Sequence, residues 1–299
     1  MAGLTPEELR EVRRLHVMAG RRVDSVFSGD WKSAFKGRGM EFDEVRPYVP
    51  GDDVRHLDWN VTARTAEPFV KVFREERQLT VLLAVDVSGS TLVGSGGRDG
   101  RTDRRLQIAR VAAGLAYAGI RNRDQVGLVT FSDRVEHYLS PRASRGHVWN
   151  VIQHVYEANH LASRPGPAGD HRGTDLDVAL RFVAGTQRRR AVVVLVSDFL
   201  DGKDWRRGLM TLARRHTVHA LLVHDPLDEG LARLGLVDVV DAETGRTRTL
   251  DARGARPRRT VEERLREVAS TGAHASAIST MEDPFRALHR HFEKVGARR

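Results

Sequence analysis

Thr80-Val-Leu-Leu-Ala-Val-Asp86-Val-Ser88-Gly-Ser90 decides how this 299-residue chain folds. Thr80 to Val85 are apolar or β-forming, lie between polar Gln78 and charged Asp86, and read as a strand buried on both faces. Where the strand ends come one carboxylate and two hydroxyls, spaced Asp-x-Ser-x-Ser. A chain that leaves a strand into a tight turn at Gly89 points alternate side chains the same way, so Asp86, Ser88 and Ser90 converge above the sheet edge. Three hard oxygen donors without Cys or His suit Mg²⁺ or Mn²⁺ rather than zinc. Taken alone, such a pentapeptide also serves as a plain strand-end turn.

Working outward, strands and helices alternate. Arg105–Ile120 reads as an Ala-rich helix, Asp124–Phe131 as a strand, and Val135–Leu139 as an antiparallel edge beside it. Val148–Tyr156 is helical, and a helix opens at Thr174. Ala191–Val196 is a second buried strand, ending in Ser197-Asp198. Arg206–Arg214 is a helix and Thr217–Val223 a strand. This alternation predicts an α/β chain with a doubly wound, mostly parallel sheet, whose ligand sites gather at the carboxyl ends of the strands. Leu236–Val240 and Arg246–Leu250 flank Glu243-Thr-Gly245, which predicts a hairpin insertion over about 226–256. A helix from Thr260, a strand near His274–Ile278 and a helix from Pro284 follow. Gly-rich stretches at 94–100 and 163–173 read as loops. The first has the wrong glycine spacing for a dinucleotide fingerprint.

Upstream, Thr5-Pro6-Glu7-Glu8 is a helix start, and Leu9, Val12, His16, Ala19 and Val23 trace one face to about Val26. His16 there reads as a packed histidine. Residues 31–75 predict short strands and turns, with a turn at Pro50-Gly51 and a strand over Phe69–Phe73. Glu41, Asp43, Glu44, Asp52, Asp53 and Asp58 are interleaved with Arg46, Arg55 and Arg64, the pattern of an ion-pair network that docks the segment on its neighbour. The expected division is 1–76 for the N-terminal helix and charged β-rich segment, and 77–299 for the wound sheet.

Composition narrows the function classes. The absence of cysteine rules out disulfides and thiolate metal sites. Glu7, Glu8 and Arg10 stand where a signal peptide would be apolar, and runs such as Val81–Val85 cannot span a bilayer, so a soluble cytoplasmic protein is expected. Net charge is +9, and five of the 49 basic residues are Lys. Such a surface favours acidic partners. No nucleic-acid recognition motif accompanies it, which makes that role the lesser expectation.

The end of the Asp86 strand, the end of the Asp198 strand and Thr174 fall on one edge of such a sheet. The candidate ligand set is therefore Asp86, Ser88, Ser90, Thr174 and Asp198, for Mg²⁺ with Mn²⁺ or Ca²⁺ as alternatives. This set resembles the metal-ion-dependent adhesion site of von Willebrand factor A domains. The resemblance implies serines and Thr174 on or near the ion, aspartates acting partly through water, and one position open for a partner's carboxylate. Phe199 departs from it, standing after Asp198 where many members of that family have Gly.

The run from Gly37 to Arg64, with Glu41, Phe42, Arg46, Pro50, Gly51, Asp52, Asp53, Arg55, Asp58, Trp59 and Arg64, resembles the hallmark of the bacterial domain of unknown function 58 family. That likeness extends from about Leu15 to Phe285. It implies a von Willebrand A-like domain acting as adaptor or co-chaperone with a MoxR-type AAA+ ATPase on a client protein. The rival expectation is a phosphoryl-transfer or hydrolytic enzyme with Asp86 as nucleophile. That chemistry wants a second carboxylate beside it, where this sequence has Ser88.

Overall fold

A computed structural model describes residues 6–26, 41–74, 78–92, 103–161, 173–228, 236–240, 247–251 and 259–297. They fall into two compact units: residues 36–78 form the smaller, and 1–35 with 79–299 the larger.

The larger unit is built on six strands: β3 (Thr80–Asp86), β4 (Gln125–Phe131), β5 (Val135–Arg142), β6 (Val192–Ser197), β7 (Thr217–His224) and β10 (His274–Ser279). Their spatial order is β10-β7-β6-β3-β4-β5. Every neighbouring pair is parallel except β4 and β5, which run antiparallel as expected. Two buried faces explain the unbroken apolar runs. Val81, Leu83 and Val85 of β3 face one core, while Leu82 and Ala84 face the other. The first core is closed by α1 (Pro6–Val26), α3 (Arg104–Arg121), α4 (Arg145–Leu161) and α8 (Pro284–Gly296). The second is closed by α5 (Leu176–Thr186), α6 (Arg206–Arg215) and α7 (Val261–Ser270). Strands β8 (Leu236–Val240) and β9 (Thr247–Asp251) pair antiparallel as the predicted hairpin. Thr260 caps α7 in a complete capping box with Glu263.

Helix α1 corrects the expected division of the chain. Val12, Leu15, Ala19 and Val23 are wholly buried in the first core, so this helix belongs with the sheet and not with residues 36–78. His16 packs its ring against Tyr117 and Trp149, the structural role expected of it.

In the smaller unit, β1 (Glu41–Pro47) pairs antiparallel with β2 (Phe69–Arg74), with a register shift between Phe42 and Glu44. Glu41 and Phe42 open β1. Pro50 precedes Gly51, whose φ of 111° is the left-handed backbone the turn requires. Asp58 caps α2 (Trp59–Thr65), a short helix the sequence reading missed, by accepting from the N–H groups of Asn60 and Val61. Three ion pairs join described residues of this unit. Arg46 forks onto both oxygens of Asp52 at 2.8 Å, Arg55 folds back on Asp53, and Asp58 meets Lys71 rather than an arginine. Arg64 makes no ion pair with a described residue, and Trp59 is 70% exposed. The loop expected at 94–100 and all but the last residue of the one expected at 163–173 lie outside the described residues.

Candidate metal centre

Strand register places Asp86 beside Ser197. Val85 of β3 lies opposite Val196 of β6, so the chain positions that follow, Asp86 and Ser197, meet at the carboxyl edge. Ser197 Oγ donates to Asp86 Oδ2 at 2.6 Å, and the Ser88 N–H donates to Asp86 Oδ1 at 2.9 Å. The chain then turns through a short 3₁₀ segment, Gly89–Leu92, fastened by the Thr91 hydroxyl donating to the Ser88 carbonyl at 2.7 Å.

Thr174 arrives from the other side of the same edge. Its segment is pinned just after Thr174 by two bonds: the Asp175 N–H donates to the Ser132 carbonyl at the end of β4, and the Leu176 N–H donates to Asp201 Oδ2. Asp175 then caps α5 and pairs with Lys203 at 2.6 Å. With Thr174 so held, its Oγ1 lies 2.8 Å from Ser88 Oγ and 3.3 Å from Ser90 Oγ, and the two serine oxygens are 2.9 Å apart.

Three oxygens from two separate segments thus form a small triangle. Ligand oxygens about 2.1 Å from an octahedral Mg²⁺ stand about 3.0 Å apart along each edge of the octahedron. The hydroxyl triangle has the dimensions of one such face, and the donor set fits a hard divalent ion. Thr174 and the buried Ser88 are shielded from bulk water, while Ser90 is half-buried.

The two carboxylates stand one step back. Both oxygens of Asp86 accept protein hydrogen bonds, and burial together with the charge of Asp198 pushes its carboxyl up to about 7. Asp198 is also wholly buried and already engaged. Its Oδ1 accepts from the Leu200 N–H at 3.0 Å, and its Oδ2 from Arg104 Nη1 at 3.0 Å. Against the set expected from sequence, all five residues come to one place, but the hydroxyls alone make the ligand-like face. This geometry also weighs against Asp86 as a nucleophile. A carboxylate that is wholly buried and held by a hydrogen bond at each oxygen is shielded from a substrate, and its acidic neighbour is tied to an arginine.

Sequence reasoning missed Ser197, Arg104, Asp201, Asp228 and Arg264. Arg104 Nη1 also donates to the Ser90 carbonyl at 3.0 Å, and its Nη2 reaches Asp228 Oδ1 at 2.5 Å. Arg264 Nη1 donates to the Asp198 carbonyl at 2.5 Å. Arginine at a helix start is ordinarily a solvated cation, so sequence alone carried no sign that Arg104 is fully buried. Among the described residues no cluster of three or more His or acidic side chains is arranged for a metal, and no helix is long and apolar enough to cross a membrane.

Comparison with known proteins places the chain. An uncharacterized protein of Mycobacterium tuberculosis is 33% identical over 240 residues, covering 80% of this chain and 72% of that one. BatB of Bacteroides thetaiotaomicron aligns at 16% identity over 73% of this chain and 99% of its own, with a TM-score of 0.47. An aerotolerance-related membrane protein of Bacteroides fragilis aligns at 14% identity over 74% and 100%, with a TM-score of 0.44. The larger unit is a mixed α/β fold with a mostly parallel six-stranded sheet, as the alternation of strands and helices predicted. Residues 44–271 match the family described as Protein of unknown function DUF58, and the chain belongs to that family.

Proposed function

We propose that this protein is a divalent-ion-dependent protein-interaction module, with Mg²⁺ the favoured ion, serving as adaptor to a MoxR-type AAA+ ATPase acting on a client protein. The observation that carries the ion site is the hydroxyl triangle of Ser88, Ser90 and Thr174, with edges of 2.8, 2.9 and 3.3 Å. Those three residues would hold the ion directly, and Asp86 and Asp198 would act from behind. A bound ion of this kind supplies a Lewis-acidic point that accepts one further oxygen ligand. This chain's residues do the rest: they fix the face, exclude water from its floor, and leave the outer side open for a carboxylate of the partner. The ATPase partnership rests on family resemblance alone. The exposed Trp59 and Val54 of the smaller unit offer apolar contacts for it.

The test is thermal unfolding of the full chain after chelation, with Mg²⁺ added back. Saturation at 100 times the dissociation constant contributes about 2.7 kcal/mol, roughly 5–10 °C in a chain of this size. Ser88→Ala and Asp86→Ala should remove that shift. A full shift in both variants would locate the ion elsewhere and end this reading.

A further inference from the structure

We infer that Arg104 is a positioning residue of the ion site: it holds the Asp198 carboxylate back from the ion and so sets how weakly the site binds a cation. This deepens the ion-site reading above and rests on it. The guanidinium is wholly buried. One nitrogen, Nη1, grips the Ser90 carbonyl and Asp198 Oδ2 together, each at 3.0 Å, so a single group couples the serine loop to the end of β6. The remaining Asp198 oxygen is taken by the Leu200 N–H, and the Asp198 carbonyl by Arg264. Asp198 is therefore fixed on every side by this chain before any ion arrives.

Asp228 supplies the counterweight. It lies at the end of the 3₁₀ turn Pro226–Asp228, and its carboxylate faces both guanidiniums, Arg104 at 2.5 Å and Arg264 at 3.6 Å. Desolvating two arginines is expensive, and apolar residues of similar volume would fill a core at least as well. What an apolar side chain could not do is hold a carboxylate at a set place with a positive charge behind it. Two carboxylates, Asp198 and Asp228, face two guanidiniums, Arg104 and Arg264, so this cluster balances its own charge before any ion arrives. A divalent ion then adds two positive charges beside it, and a carboxylate from a partner offsets part of them. Arg104 thus makes the ion a poor guest alone and a good one with an acidic ligand.

The charge argument gives opposite signs for two substitutions that both break the same buried ion pair. Removing the positive charge of Arg104 frees Asp198 and tightens ion binding. Neutralising Asp228 leaves the charge of Arg104 less compensated and weakens it. A merely structural role would lower stability in both and leave affinity unmoved.

The experiment is calorimetric titration of Mg²⁺, and separately Mn²⁺, into the chelated full chain as wild type, Arg104→Gln, Arg104→Lys and Asp228→Asn. Arg104→Gln should bind on the order of tenfold more tightly, and Asp228→Asn several-fold more weakly, at roughly constant Arg104→Lys affinity. Should Arg104→Gln fail to fold, Asp228→Asn decides: affinity equal to or tighter than wild type overturns the inference. A shift of both variants in the same direction also overturns it. A wild-type protein that takes up no ion ends the ion-site reading and this inference together, whereas wild-type binding that Arg104→Gln leaves unchanged overturns the inference alone.

Discussion

Phe199 holds a backbone conformation that glycine adopts freely: its φ is 54°, and its side chain is wholly buried against Trp205. The departure from glycine seen in the sequence is thus a residue under local strain that anchors the rim beside Asp198. Two effects compete in Phe199→Gly. Relief of the left-handed conformation is worth about 1–2 kcal/mol, while loss of a buried phenylalanine costs about 3–5 kcal/mol. The cavity wins, and chemical denaturation should show the variant less stable by about 1–4 kcal/mol; equal or greater stability would refute the anchoring role. His291 gives a second residue-scale prediction. It is buried between Ser276 Oγ at 2.7 Å and His219 Nδ1 at 2.8 Å, and burial pulls its pKa down to about 3. Between pH 6.5 and 3 the unfolded chain binds a proton there that the folded chain refuses, so this group loses stability as pH falls. Asp86 runs the other way, because its carboxyl is raised to about 7 and acid favours its folded form down to the ordinary carboxylate range. The two offset in the wild type, so the informative quantity is the difference from His291→Gln. From pH 7.5 to pH 5 the wild type should lose about 2 kcal/mol relative to that variant. Urea midpoints that move in parallel would contradict the buried neutral histidine. At this scale the hydroxyls and carboxylates of the site were legible, because Asp-x-Ser-x-Ser and Ser-Asp each end an apolar run. Arg104 and Arg264 were not, since burial of a cation is decided by partners far away in sequence.

Among the elements, the strands were the most legible. Unbroken apolar runs such as Val192–Val196 have few folds open to them besides the middle of a covered sheet. Gly127 shows how tightly one edge is fitted. A Cβ there would meet Leu82 Cδ1 at 2.8 Å, Pro141 Cγ at 2.9 Å and the Leu139 carbonyl oxygen at 3.0 Å. Side-chain ends can swing aside, but the carbonyl belongs to the β5 ladder and cannot. Gly127→Ala should therefore cost about 1–3 kcal/mol, with faster amide exchange in β5 as its local mark. An unchanged melting temperature would show that β5 gives way freely. The helices taught a different lesson. The apolar stripe of α1 predicted a helix but not its neighbour, because amphipathicity names a face and leaves open what covers it. Helix α2 has seven residues, too few for a periodic signal, and only its Asp58 cap marked the start.

For the whole molecule, the ion site and the partner can be tested together. If the partner docks through the ion, capture of a MoxR-type ATPase or its client by the full chain should fall with chelator and with Asp86→Ala. If the smaller unit also contributes, Trp59→Ala should reduce capture at an unchanged melting temperature, since that side chain is largely exposed. Capture indifferent to all three changes would place the contact elsewhere. The claim beneath everything else is that Ser88, Ser90 and Thr174 form the inner face of a cation site. The most direct measurement is an anomalous difference map from crystals soaked in Mn²⁺. The account predicts a peak about 2.0–2.3 Å from all three hydroxyl oxygens, whereas a map with no peak there, or with Mn²⁺ bound only at other residues, would contradict it.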